Sequence, residues 1–163
     1  MVVLLEKVEH MCSRLTTNSA AIQSGAAIAG VLVGIFGFGA TICQLSATKN
    51  ALQASNTYTI QHDARELITA INPNIRKIRA GTVAPEEKDA ALVDVWKMLN
   101  FYLSVYRQSV SGGIKPDFSQ AFADDFCSTI SNKGMAAAWD QLKAEDRISD
   151  KHEKMKEGWC GTK

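Results

Sequence analysis

Four cations and two aromatic rings are the residues of this chain best suited to recognition chemistry. Arg76, Lys77 and Arg79 crowd four positions, and Arg107 follows Tyr102 and Tyr106 in the run YLSVYRQ. Guanidinium and ammonium groups bind anions through charge-assisted hydrogen bonds, and aromatic faces stack on bases. These six residues form a candidate site for a small anionic ligand. The competing reading puts both tyrosines in the core and leaves the cations in water. Carriers of catalysis are missing. There is no G-x-x-x-x-G-K, no G-x-S-x-G and no H-E-x-x-H, so phosphate-loop, serine-hydrolase and zincin chemistry have no foothold. Asp124 and Asp125 are adjacent, and neighbours on a helix point about 100° apart, which does not make an acid–base dyad. His62 and Glu66 stand one turn apart with no second histidine nearby, so they read as a surface pair. Cys12, Cys43, Cys127 and Cys160 are far apart with no C-x-x-C spacing. Reduced thiols in a cytosolic domain are therefore expected, with neither a disulfide framework nor a zinc site. No catalytic residue, metal or cofactor is expected.

The elements that must position the candidate site are organised around a membrane span. Gly25 to Leu45 is a stretch of 21 residues without charge, inside a longer charge-free run from Leu15 to Thr48. As a helix it covers about 31 Å, the thickness of a bilayer's hydrocarbon core. Its large apolar residues each contribute about −0.3 to −0.6 kcal/mol to insertion. Five glycines (Gly25, Gly30, Gly34, Gly37 and Gly39) would each cost about 0.8–1.0 kcal/mol in a water-facing helix. In lipid they have a packing use: Ala26, Gly30, Gly34, Gly37 and Thr41 line one face and let a second helix approach closely. Self-association through that face is the expectation. The apolar run is too long for a signal-peptide core and begins after more than twenty residues, so it is expected to be retained. Lys7 and Arg14 on one side balance Lys49 and Arg65 on the other. Arg76, Lys77 and Arg79, with the unpaired cysteines, then favour a cytosolic C-terminal domain.

The rest reads as helix. In residues 1–24, Leu4, Leu5, Val8, Met11, Cys12 and Leu15 share one face of an amphipathic helix. Residues 46–59 are polar and read as a juxtamembrane stalk. From residue 60 to 163 the spacing predicts a soluble helical domain. Ile60, Ala64, Leu67 and Ile71 fall on one face, and Asn72-Pro73-Asn74 is expected to end that helix. Pro85, Glu86 and Glu87 start the next, which runs to about Ser109 and is apolar over most of its circumference, so it should be surrounded. Ser111-Gly112-Gly113 breaks it. Phe118, Phe122 and Phe126 make an aromatic ridge, Asn132-Lys133-Gly134 reads as a C-cap and turn, and Met135, Ala138, Trp139 and Leu142 form a shorter helix. The charged stretch from Lys143 reads as a solvated helix that frays before Trp159. No segment alternates with period two, so the fold class is all-α: an N-terminal amphipathic helix, one transmembrane helix and a C-terminal soluble helical domain.

The helix carrying VWKMLNFYLSVYRQ, followed by GGIKPDF, FADDFC and MAAAW behind one glycine-rich span, resembles small bacterial membrane proteins of largely unassigned function. The layout is also similar to the small cyclic-tetra-adenylate-binding membrane effector family of type III CRISPR systems. That resemblance implies a cytosolic nucleotide-binding domain, a tetramer, and antiviral defence by perturbing the bacterial inner membrane. It carries over no binding residue. Two functions are open. One is a membrane effector whose domain senses a small anionic ligand, such as a cyclic oligoadenylate, and acts through an oligomeric glycine-rich helix. The other is a non-catalytic scaffold or accessory subunit that docks a protein partner. With 18 basic and 17 acidic residues, a DNA or RNA duplex is not an expected partner.

Overall fold

The computed structural model describes the backbone of residues 2–161 and the side chains of residues 30–161. Among these the chain is all-helical, without a strand: α1 (Val2–Ala80), a 3-10 turn (Pro85–Glu87), α2 (Lys88–Val110), α3 (Pro116–Ile130), α4 (Lys133–Ala144) and α5 (Asp150–Cys160). Contacts divide it into two units, Met1–Thr48 and Lys49–Lys163.

In the first unit, Val31, Leu32, Val33, Ile35, Phe36, Phe38, Ile42 and Leu45 are 49–75% exposed. A contiguous apolar surface of this kind marks an interaction with lipid or protein. By length and composition, this one helix is long and apolar enough to cross a membrane. Nothing lies within 4 Å of a side chain built at Gly30, Gly34 or Gly37, so the glycine face is open. Thr41 donates its hydroxyl to the Gly37 carbonyl at 2.9 Å, which satisfies its polar group inside the helix, as an apolar surrounding demands. The amphipathic face of residues 4–15 and the Ala26 side chain lie outside the described side chains.

The second unit is a helical bundle with α2 at its centre, packed against α3, α4 and α5. The apolar girth of α2 explains this: Ala91, Leu92, Val95, Met98, Leu99, Tyr102, Leu103 and Val105 are all buried. Ile60 and Ile71 of α1 are each 3% exposed, on the face that their spacing predicts. Phe126 is wholly buried amid Tyr102, Trp139 and Trp159, with ring centroids 5.3, 6.3 and 5.7 Å away. A smaller cluster joins Ile60, Val105 and Ile114.

Several expectations are corrected. The helix does not stop at Asn72. It continues through Pro73 to Ala80, because the following turns bury Ile78 to 8% exposure and seat it in the core. Asn74 and Lys77 then tie α1 down, donating to Asp94 and Glu87 at 2.7 Å. Asn132 is not a C-cap but the N-cap of α4, its side-chain oxygen accepting from the Gly134 and Met135 amides at 3.0 and 3.3 Å, a bond set that satisfies first-turn donors. The charged C-terminal stretch is neither solvated throughout nor frayed before Trp159. α5 runs to Cys160 and buries His152 and Met155, and Trp159 packs on the core. In the polar stretch 46–59, which is helical, Gln53 and Asn56 donate to the Gly112 and Gly113 carbonyls at 2.9 Å each.

Three helices close in the same way. After α1 and α2 the chain enters the left-handed region at Gly81 (φ 68°) and Gly112 (φ 73°), and after α4 it does so at Asp146 (φ 61°). In each case the next amide reaches back into the last turn; Arg147 N–H bonds the Leu142 carbonyl at 2.9 Å, the Schellman arrangement. A side chain is disfavoured at that position, less for Asp than for most residues. Asp146→Gly is therefore expected to raise stability by about 0.5 kcal/mol, the relieved strain being partly offset by unfolded-chain entropy. Urea unfolding at a fixed pH measures it, and a lower midpoint would refute the assignment.

Candidate functional site

The six candidate residues do not gather at one place. Arg76 is exposed on α1. Lys77 is spoken for: its ammonium group contacts both Glu87 oxygens at 2.7 Å, and that pairing holds the Glu87 carboxyl below its usual range. Tyr106 is half-buried, with its ring 5.4 Å from that of Trp159 and its hydroxyl against Gly158. Arg107 is exposed and lines a cleft shared with His152. Only Arg79 and Tyr102 come together.

They meet at a half-open groove of about 180 Å³ between the C-terminal part of α1 and the α2–α3 pair. Leu67, Ile68, Ile71 and Ile75 give one apolar wall, and Met98, Phe101 and Phe122 give the other. The polar groups on its lining are Asn72, Arg79, Tyr102, Asp125 and Thr129. Tyr102 is 6% exposed and donates its hydroxyl to the Asp125 carboxylate. Burial first, and then that carboxylate, push the Tyr102 pKa far up, so the phenol stays a fixed donor. Its ring packs edge-to-face with Phe101, Phe126 and Trp159, and so little of the residue is exposed that a base has almost no surface to stack on. Arg79 is exposed and takes part in none of the ion pairs found among the described residues. It is thus a cation at the side of an apolar groove, with Asp125 already engaged by Tyr102.

No family model matches the chain, nor does any curated protein or solved structure. Among the described residues no cluster of three or more His, Cys, Asp or Glu side chains is placed to hold a metal ion. The expected surface pair is present, with His62 Nε2 3.7 Å from Glu66 and both side chains exposed.

The cysteine expectation is overturned. Cys127 and Cys160 form a disulfide across a Cα separation of 5.7 Å, joining α3 to the end of α5. Sequence reading missed it because the two are 33 residues apart and meet only once the bundle forms. It missed His152 for the same reason, although His152, Met155 and Trp159 recur at three and four residues, the spacing of a buried stripe. His152 is 3% exposed. Its Nδ1 accepts from the Ser149 amide at 3.2 Å in a reciprocal cap of α5. Burial and then Arg107 hold its pKa below the ordinary 6.5, Glu153 opposing them. The neutral ring is thus the folded form, and protonation favours unfolding. Its contribution to stability is complete above about pH 6.5 and falls as the pH drops toward and through the lower folded-state value. Urea midpoints between pH 7.5 and 5 are expected to decline, with a shallower slope in His152→Gln; an equal slope in that variant would exclude His152 as the source.

Proposed function

We propose that the chain is a membrane-anchored, non-catalytic binding protein whose helical unit takes a small amphipathic anion. Residues 25–45 hold it in the bilayer, and the groove receives the ligand. Its apolar body rests against Ile71 and Phe122, and its charge meets Arg79. The observation that carries this reading is Arg79 itself: an exposed guanidinium outside the ion pairs, beside aliphatic and aromatic walls. A cavity of about 150 Å³ with such walls admits benzene, so this one suits a single ring-sized group. A cyclic tetranucleotide is far larger and would have to be shared among several copies. The open face at Gly30, Gly34 and Gly37 supports self-association in lipid, which keeps an oligomeric membrane effector as the form in which sharing would occur.

The disulfide bears on orientation. Such bonds persist in oxidising compartments and are rare in the cytosol. It therefore supports a helical unit on the extracytoplasmic side, against the cytosolic orientation expected from unpaired thiols. Lys7 and Arg14 balance Lys49 and Arg65, and Arg76, Lys77 and Arg79, which favoured the cytosol, lie beyond the roughly 15–20 residues from the span over which charge sets orientation. A cytosolic nucleotide signal in antiviral defence needs the opposite orientation, and the groove then serves a ligand from outside.

Benzoate tests the groove on the full chain in lipid nanodiscs, with benzyl alcohol as the uncharged control. Benzoate is expected to raise the melting temperature more than the alcohol, and Arg79→Gln to remove the difference, since a ligand that binds only the folded state stabilises it. Equal effects of the two compounds, or an unaltered response in Arg79→Gln, would sink the proposal. The anchor is tested by high-speed centrifugation of lysed cells without detergent. The chain should sediment with membranes, and its presence in the supernatant would refute the span.

A further inference from the structure

A second cleft, apart from the groove, lies where α2 meets the start of α5. It has a volume of about 380 Å³, and its lining includes Ser104, Arg107, Gln108, Ser149, Lys151 and His152. Two of these residues carry buried polar atoms without a hydrogen-bond partner, His152 Nε2 and Gln108 Oε1. A buried orphan of this kind costs about 1–3 kcal/mol and calls for an explanation.

The two orphans have opposite needs. Because His152 Nδ1 accepts the Ser149 amide proton, the neutral ring carries its hydrogen on Nε2, which is therefore a donor lacking an acceptor. Gln108 Oε1 is an acceptor lacking a donor. Arg107 and Lys151 bring positive charge to the lining, where there is no carboxylate, and the first turn of α5 adds the positive end of its dipole. Of the nearby acids, Glu153 is engaged by Lys143 at 2.7 Å, and Asp150 is exposed at the helix start. A ligand that answers all of this is negatively charged, accepts from His152 and Arg107, and still has a proton to give Gln108. Sulfate and carboxylates have no such proton near neutral pH; phosphate and phosphate monoesters, with a second pKa near 6, keep one on a fraction of the molecules at pH 7 and on about half of them at pH 6.

We infer that the cleft between α2 and α5 binds a phosphate or phosphate monoester, with Arg107 and His152 donating to its oxygens and Gln108 accepting its remaining proton. Both orphan atoms are shielded in the unliganded chain, so side chains of the lining must turn aside to admit the ligand. Arg107 and Lys151, both exposed, are free to do so.

The test uses the full chain in nanodiscs, with inorganic phosphate, glycerol phosphate and sulfate compared at constant ionic strength near pH 6, where both phosphates carry the proton in quantity. Inorganic phosphate should raise the melting temperature in a saturable way while sulfate does so weakly. A response to glycerol phosphate as strong as that to phosphate assigns a monoester. A weaker one assigns the free ion. Arg107→Gln should weaken phosphate binding about ten-fold or more, as expected for loss of a charged hydrogen bond. Gln108→Leu should abolish the preference for phosphate over sulfate, an effect that loss of packing alone would not produce. Equal stabilisation by phosphate and sulfate, no response to phosphate, or an unchanged preference in a folded Gln108→Leu variant would overturn the assignment.

Discussion

Replacing Cys127 or Cys160 by serine, or reducing the bond, is expected to lower the stability of the helical unit by about 3 kcal/mol. The bond closes a loop spanning a sequence separation of 33, for which chain entropy alone gives roughly 4 kcal/mol; the usual measured range is about 2–4 kcal/mol. For a unit of this size that corresponds to a fall of about 10 °C in melting temperature. The opposing consideration is that α5 is already held by Met155, fully buried, and by Trp159 against Tyr102 and Phe126. Those contacts are present in both folded states and do not replace the constraint on the unfolded chain. Thermal melts with and without reductant read the effect directly. If the serine variants melt within a degree or two of the parent under non-reducing conditions, packing alone carries the unit and the bond contributes nothing.

The second large effect is expected at Gly134. A Cβ built there would stand within 2.9 Å of the Ile78 carbonyl carbon and closer still to its oxygen. This is a backbone-to-backbone approach between α4 and α1, so no side chain can rotate away. Overpacking of this kind costs about 1–3 kcal/mol and sometimes more. Alanine's better helix propensity returns at most about 1 kcal/mol, and less in a first turn. We expect Gly134→Ala to lose about 2 kcal/mol net, read as a lower urea midpoint. Gly158→Ala is the useful comparison. There the nearest neighbour is the Tyr106 hydroxyl at 2.9 Å, the far end of a side chain that can move, so its loss should be smaller. A Gly134→Ala variant as stable as the parent would mean that α4 does not seat on α1 as described.

What could be read from the chain, and what could not, divides along a physical line. Periodicity located the buried faces of α2 and α4, because burial is written in the residues themselves: Leu92, Val95 and Leu99, then Met135, Trp139 and Leu142. On α3 it found Phe126, while Phe118 and Phe122 are only half-buried and Ser119, Ala123 and Thr129 fill the face. It failed where a neighbour decides. The bias against helix before Pro73 is a local preference, and it yields to the burial of Ile78 one turn further on. Asn132 is suited to either end of a helix, and only the amides it meets, Gly134 and Met135, make it a start. The candidate cations were chosen for crowding at 76, 77 and 79, yet a helix turns about 100° per residue, which sends Lys77 to Glu87. Arg76, though only about 60° round from Arg79, does not line the groove. The groove therefore keeps Arg79 and loses the others. The cleft was invisible because Gln108 and His152 belong to helices brought together only by the fold.

Pro73 leaves one more consequence. Lacking an amide hydrogen, it cannot bond the Thr69 carbonyl, so the ladder of α1 has a missing rung. That rung falls midway along the groove's wall, between Leu67 and Ile71 on one side and Ile75 and Arg79 on the other. Just beyond it, Asn74 and Lys77 fasten the helix to Asp94 and Glu87. A stretch of α1 short of one backbone hydrogen bond thus borders the groove.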